Sequence, residues 1–219
     1  VSETLHPEEA VTTIFLVRHG KTEAVEKGLL HADLATPLSP TGVEQAQAMA
    51  SFLTKLNADV LLSSRAIRVL KTAEVIAGQS KLKPIVNSQL DEWLVGDWEG
   101  KTYLQIKKTQ PDLYDKWQSN PIFEKVPGGE SIAGMYDRVV AELKVLVEEH
   151  VGKRVILVTH AGVIRSMLVY ALGMPLANFW RLNVPTASVS QIDFSANFSL
   201  VKFMALEPAT FAGGGSDPA

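Results

Sequence analysis

Two of the five histidines stand directly behind short apolar runs. His19 follows residues 14–17 in Arg18-His19-Gly20, and His160 follows residues 155–158 in His160-Ala161-Gly162. A lone histidine at a strand end is more often structural than catalytic. Two in matched positions, each with a glycine close behind, point to a shared site in which imidazole acts as nucleophile, base or ligand. Gly20 and Gly162 would let backbone approach a ligand closely, and a helix opening near 162 would present N–H groups to an anion. Arg18 adjoins the first histidine, and Arg68 lies in Ser64-Arg65-Ala66-Ile67-Arg68 behind a third apolar run at 60–62. Guanidinium groups grip phosphate-like anions through a planar fork that lysine cannot imitate. A carboxyl completes the set: residues 90–100 place Asp91, Glu92, Asp97 and Glu99 among bulky apolar side chains. An apolar setting raises a carboxyl pKa and suits a general acid, whereas nearby arginines lower it. The residues alone leave that competition open.

The elements that must position these groups alternate along the chain. The runs at 14–17, 60–62 and 155–158 are continuously apolar, as expected of strands covered on both faces in a mostly parallel sheet. In such a sheet ligands bind at the carboxyl ends of the strands, where both histidines fall. Between the strands, Ser39-Pro40 offers an N-cap and an N1 proline, and Thr41 to Glu44 a capping-box spacing. Val43, Ala46, Ala50 and Leu53 then share one helical face. Further helices are expected over about 66–77 with Gly78 as the stop, over about 132–150 with Met135, Val139, Leu143 and Leu146 inward, and from Gly162 to near Gly173. Residues 189–194 and 200–206 read as a terminal hairpin. The segment 101–130 carries Pro111, Pro121 and Pro127 and reads as short helices and loop, a cap that selects substrate. The fold class is α/β: a three-layer α/β/α sandwich with a mostly parallel central sheet and a small cap.

Composition narrows the chemistry. The 219 residues suit one domain, and 46% hydrophobic with 21% charged is an ordinary soluble composition. The absence of cysteine excludes disulfides, thiolate zinc sites, iron–sulfur clusters and cysteine nucleophiles. A net charge of −3 without a basic block argues against a nucleic-acid binder, and no apolar run is long enough to span a bilayer. The first ten residues lack the basic-then-apolar order of a signal peptide, so a cytoplasmic location is expected, with a leader removed ahead of Val1 left open. Residues 1–11 are read as an N-terminal extension, 12–206 as the domain, and 207–219, ending in a Gly-rich stretch, as a flexible tail.

The ordered motifs carry a resemblance. Val17-Arg18-His19-Gly20-Lys21-Thr22-Glu23 resembles the Arg-His-Gly signature of the histidine phosphatase superfamily, the phosphoglycerate mutase-like proteins. Pro37-Leu38-Ser39 through Gly42-Val43-Glu44-Gln45-Ala46 is similar to the loop and helix that follow it. Arg68 with Thr72-Ala73, Glu92 with Gly96 and Trp98-Glu99-Gly100, Pro127-Gly128-Gly129-Glu130-Ser131, Arg138-Val139 and Thr159-His160-Ala161-Gly162-Val163-Ile164-Arg165 complete the order. The segment 127–131 and the short cap look like the phosphatase branch, the broad-specificity and alpha-ribazole phosphatases.

The resemblance implies a phosphohistidine mechanism. His19 would attack phosphorus, Arg18, Arg68 and His160 would hold the equatorial oxygens, and Glu92 would protonate the leaving oxygen. Gly20, Lys21, Thr22 and Ala161 are carried over as further substrate contacts. Neither a cofactor nor a metal is implied, because the fixed cations replace magnesium and would repel one. The implied partner is a small-molecule phosphate ester, and a homodimer is compatible with the reading. Three positions depart from the family pattern: Val25 stands where the family has asparagine, Lys21 where an acid or glutamine is usual, and Ser63-Ser64-Arg65-Ala66 where Ser-Ser-Pro-Leu is usual. Lys21 and Arg65 are read first as solvated, and alternatively as favouring a substrate with a second anionic group. Mutase-type phosphoryl transfer and a low-activity phospho-ligand binding module are the competing functions.

Overall fold

The computed structural model describes residues 10–208. The expected N-terminal extension beyond Ala10 and Val11, and the expected tail beyond Glu207 and Pro208, lie outside the described residues. In chain order the elements are β1 (Thr12–Arg18), α1 (Glu23–Glu26), α2 (Pro40–Leu53), β2 (Val60–Ser63), α3 (Ile67–Ser80), β3 (Pro84–Val86), α4 (Tyr103–Thr109), α5 (Pro111–Ser119), α6 (Ile132–Glu149), β4 (Arg154–Thr159), α7 (Ala161–Ala171), β5 (Val189–Phe194) and β6 (Ser199–Leu206). Short 3₁₀ turns at Ser88–Leu90, Gly96–Trp98 and Leu176–Arg181 join them.

The six strands form one sheet in the order β3-β2-β4-β1-β5-β6. β1, β2, β3 and β4 run parallel, whereas β5 and β6 are antiparallel additions on the β1 side. Alternation within each strand divides the interior in two. Ile14, Leu16, Val155 and Leu157 face α6 and α7, with Met135, Val139, Leu143, Val163 and Met167 packed on them. Phe15, Val17, Ile156 and Val158 face α2 and α3, with Met49, Ala50, Val69, Ala73 and Ile76. The continuous apolar runs are thus covered on both faces, and the molecule is the three-layer α/β/α sandwich the pattern implied.

Local details differ from the sequence expectation. On α2 the buried face is Gly42, Ala46, Met49, Ala50 and Leu53, while Val43 is 41% exposed. Gly42 faces inward because its backbone lies against the Lys21 carbonyl, where a Cβ would collide. The N-cap is Ser39, whose Oγ accepts from Gly42 N–H, so the Thr41–Glu44 spacing forms no capping box. α3 passes through Gly78 and ends at Ser80, terminated by Lys81 in the left-handed conformation. Strand β3 is too short to show a pattern, and its Ile85 and Val86 are exposed on the sheet edge.

Segment 101–130 contains α4 and α5, the short helices expected there. α4 has a complete capping box between Thr102 and Gln105. Its anchor is an aromatic cluster in which Trp98 meets Trp117 at 5.3 Å and Tyr103 stacks on Trp117 at 5.4 Å. Tyr114 and Trp117 therefore serve packing.

Candidate active site

β1 and β4 are parallel neighbours whose last residues pair, Arg18 with Thr159, so the chain leaves both strands at one edge of the sheet. His19 N–H donates to Thr159 O at 3.1 Å, and the His19 and His160 rings meet edge to face with centroids 5.3 Å apart. Strand pairing alone brings together two histidines 141 positions apart (160 minus 19).

Hydrogen bonds fix both tautomers. His19 Nδ1 lies 2.7 Å from the Gly20 carbonyl oxygen, which can only accept, so Nδ1 carries the proton and Nε2 keeps its lone pair. His160 Nδ1 accepts from Arg68 Nη2 at 3.4 Å, which leaves Nε2–H to donate to Ser64 Oγ at 2.8 Å. Burial, followed in effect by Arg18 and Arg68, holds the His19 imidazole well below the ordinary histidine value. Burial and then Arg68 do the same for His160. Both rings are neutral at neutral pH, the form a nitrogen nucleophile requires.

Two arginines lie beside the histidines, Arg68 buried and Arg18 partly so. Arg68 is fully enclosed, with Nη1 donating to Asp33 O at 2.7 Å. Arg18 Nη1 donates to Val184 O, and burial draws its guanidinium down to about 10, which leaves it charged at neutral pH. The Nε–H of each of these two arginines is buried without a hydrogen-bond partner. Buried donors are nearly always paired in folded proteins, so two orphaned cationic donors beside one imidazole mark a candidate anion site.

Glu92 is held from two directions. Its carboxylate accepts from Gly162 N–H at 3.1 and 3.2 Å and from Trp93 N–H at 2.9 Å, which seats it at the N-terminus of α7. A Cβ on Gly162 would collide with Glu92 Oε1. Gly162 is therefore bare to admit the carboxylate, and its N–H is not the ligand-facing donor that the sequence reading expected. The loop carrying Glu92 is clamped by the 127–131 segment. Asp97 N–H donates to Pro127 O, Glu130 N–H to Leu94 O, and Trp93 Nε1–H to Glu130 O. Gly96 and Gly129 let those two backbones touch. Arg138 closes the clamp, donating to Gln89 O, Asp91 O and the Glu130 carboxylate.

These groups surround a cavity of about 250 Å³ whose wall includes Arg18, His19, Arg68, Glu92, His31 and Arg165. Among the described residues, no group of three or more histidine, aspartate or glutamate side chains is placed to hold a metal ion.

Residues 14–206 match the Histidine phosphatase superfamily (branch 1). The chain belongs to that family. Phosphoserine phosphatase 1 of Hydrogenobacter thermophilus is 31% identical over 179 residues, 82% of this chain and 85% of that protein. The crystal structure of the alpha-ribazole phosphatase from Shigella flexneri is similar with a TM-score of 0.83 at 26% identity, covering 89% of this chain and 96% of that one. A mycobacterial glucosyl-3-phosphoglycerate phosphatase in complex with VO3 gives a TM-score of 0.78 at 28% identity, covering 89% and 99%. This histidine phosphatase is accordingly a phosphomonoesterase in general activity.

Several residues carried over as substrate contacts stand elsewhere in this histidine phosphatase. Gly20 donates its N–H to Thr72 Oγ1, and its missing Cβ makes room for the Gly42 carbonyl rather than for a ligand. Lys21 is off the cavity wall, with its N–H on Gln45 Oε1 and its carbonyl accepting from Ser39 N–H. Thr22 is fully buried and caps α1 by accepting from Val25 N–H. Ala161 and His160 are buried just behind the wall. Arg65 is exposed, as the solvated reading expected, and its side chain is paired with Asp91 by two bonds of 2.8 and 2.6 Å rather than directed at the cavity. The sequence reading passed over Ser64, His31 and Arg165. Arg165 had a readable signal, since it lies one helical turn after Ala161 at the site end of α7.

Proposed function

We propose that the chain hydrolyses small phosphate monoesters through a phosphohistidine on His19. The observation that carries this reading is the His19–Gly20 hydrogen bond, which leaves Nε2 as the free lone pair of a neutral ring on the cavity wall. Nε2 attacks phosphorus in line and the ester P–O bond breaks. Glu92 in its carboxylic acid form, protonated as substrate binds, gives that proton to the leaving oxygen; the carboxylate so formed then takes a proton from the water that cleaves the N–P bond, which releases inorganic phosphate and restores the acid. Arg18 and Arg68, whose side chains line the cavity, bind the equatorial oxygens, and His160, buried just behind the wall, accepts from Arg68 Nη2 and holds it toward them. Because these donors are fixed before substrate arrives, little reorganisation is needed as charge shifts.

The leaving group faces Trp93, Tyr103, Phe179, Trp180 and Arg165. Arg165 lies over the Trp180 ring at 5.5 Å and donates Nε–H to Leu182 O, which leaves its outer nitrogens for an anionic substituent. A small ester carrying a carboxylate fits this wall, in line with a relative named for phosphoserine. The test is p-nitrophenyl phosphate hydrolysis by wild type and His19→Ala, followed by phosphoserine and neutral alkyl phosphates with Arg165→Gln. We expect His19→Ala to lose turnover and Arg165→Gln to lose only the preference for the carboxylate-bearing ester. Equal rates for wild type and His19→Ala would refute the nucleophile.

A further inference from the structure

We propose that Gln45 on α2 is a positioning residue for the nucleophile, acting through the Gly20–Lys21 peptide to hold the His19 ring in its reactive tautomer. The inference rests on the reading of His19 as the attacking group. The two ends of that one peptide are bonded in series. Its N–H, from Lys21, donates to Gln45 Oε1 at 2.9 Å, and its carbonyl, from Gly20, accepts the His19 Nδ1 proton at 2.7 Å. A trans peptide is a plane with N–H and C=O pointing opposite ways, so pinning the N–H aims the carbonyl. An N–H engaged at one end also polarises the amide and strengthens the bond accepted at the other. Gln45 is not on the cavity wall, and the mechanism gives its amide no other work.

Two helices are built around this peptide. Gly42 and Gln45 stand three positions apart on one face of α2. The bare Gly42 lets the helix rest on the Lys21 backbone, where a Cβ would collide with the Lys21 carbonyl, and that close approach brings Gln45 within reach of the Lys21 N–H. The Lys21 carbonyl accepts from Ser39 N–H at 2.9 Å, just ahead of the same helix. From α3, Thr72 Oγ1 accepts from Gly20 N–H at 3.2 Å, and that buried hydroxyl donates to Arg68 O at 2.8 Å. Of these bonds to the backbone of Gly20 and Lys21, only the one to Gln45 belongs to the peptide whose carbonyl orients His19. Without it that peptide is free to tilt, Nδ1–H loses its aimed acceptor, and the ring divides between tautomers. In the other tautomer the proton sits on Nε2, the nitrogen that must attack.

The test compares Gln45→Met, close in shape but without an acceptor oxygen, with Gln45→Glu, which keeps one. The readouts are the ¹⁵N resonances of histidine-labelled protein, with His19 assigned by its loss in His19→Ala, kcat/KM with p-nitrophenyl phosphate, and calorimetric affinity for inorganic phosphate. Wild type should show Nδ1 protonated and Nε2 bare. In Gln45→Met both His19 signals should move toward the average of the two tautomers, and kcat/KM should fall on the order of 10-fold, while phosphate affinity stays within about twofold. Gln45→Glu should keep the wild-type tautomer and most of the rate. An unmixed wild-type tautomer in Gln45→Met overturns the proposal, whatever the rate. So does an equal loss in Gln45→Met and Gln45→Glu, since a packing defect behaves that way. A matching fall in phosphate affinity overturns it as well, because the anion site itself would then be disturbed. The ring is read without turnover, so the tautomer result stands apart from any failure of His19 as nucleophile.

Discussion

His19 and His160 are neutral because they are buried among guanidinium groups, and that has a consequence for stability with a definite sign. An unfolded imidazole titrates near 6.5, whereas both native rings titrate well below it. As pH falls through about 6.5 the unfolded chain takes up protons first, so stability declines toward the native values. Between pH 7.5 and 5.5 each histidine should remove about 1 kcal/mol, which urea midpoints at the two pH values measure. A midpoint independent of pH would contradict the burial. Gly162→Ala tests the carboxylate: its Cβ displaces Glu92 from the α7 terminus, and kcat should fall on the order of 100-fold while the circular dichroism spectrum stays native. An unchanged kcat would mean that Glu92 works from some other position. Arg18, His19, His160 and Arg68 stood out in the sequence because they follow apolar runs whose strands end at one sheet edge, whereas Glu92 was singled out from four neighbouring acids only by the family resemblance. His31 was not, because no strand precedes it and its place depends on Glu99 and Lys101, distant in sequence.

At the scale of elements, the 127–131 segment and Arg138 on α6 are a clamp on the Glu92 loop rather than part of the cavity wall. Arg138→Gln should therefore lower kcat with p-nitrophenyl phosphate while leaving affinity for inorganic phosphate near wild type. Equal losses in both would place Arg138 in anion binding instead. Helix α2 shows where periodicity reading failed. The amphipathic stripe was visible, yet its phase was set by Gly42 pressing on the Lys21 backbone, a contact a hydrophobicity pattern does not encode. Met49→Ala should cost about 2–5 kcal/mol, since Met49 is fully buried, whereas exposed Val43→Ala should stay within about 0.5 kcal/mol. Denaturant titration of both variants checks the assignment of faces. The inward face of α6 was legible, because four apolar positions at regular spacing outweigh any one local contact. β3 left no trace in the sequence because three edge residues, two of them exposed, carry no periodic signal.

For the molecule as a whole, a net charge of −3 conceals a site of opposite sign. Arg18, Arg68 and Arg165 converge on one cavity with Glu92 the carboxylate on its wall, and the acidic excess lies elsewhere. If the cavity takes a phosphate dianion as proposed, moderate salt should weaken that binding less than it would at an exposed basic patch. No helix among the described residues is long and apolar enough to cross a membrane. The proposed function turns on whether phosphorus is transferred to His19. The direct measurement is rapid mixing with ³²P-labelled p-nitrophenyl phosphate, whose leaving group needs no proton from Glu92, quenching into alkaline detergent, where phosphohistidine survives, and mapping the labelled peptide. The account predicts label on the peptide containing His19 in wild type, accumulation of that label in Glu92→Gln, and none in His19→Ala. Full turnover with no labelled intermediate in Glu92→Gln, or wild-type turnover by His19→Ala, would contradict it.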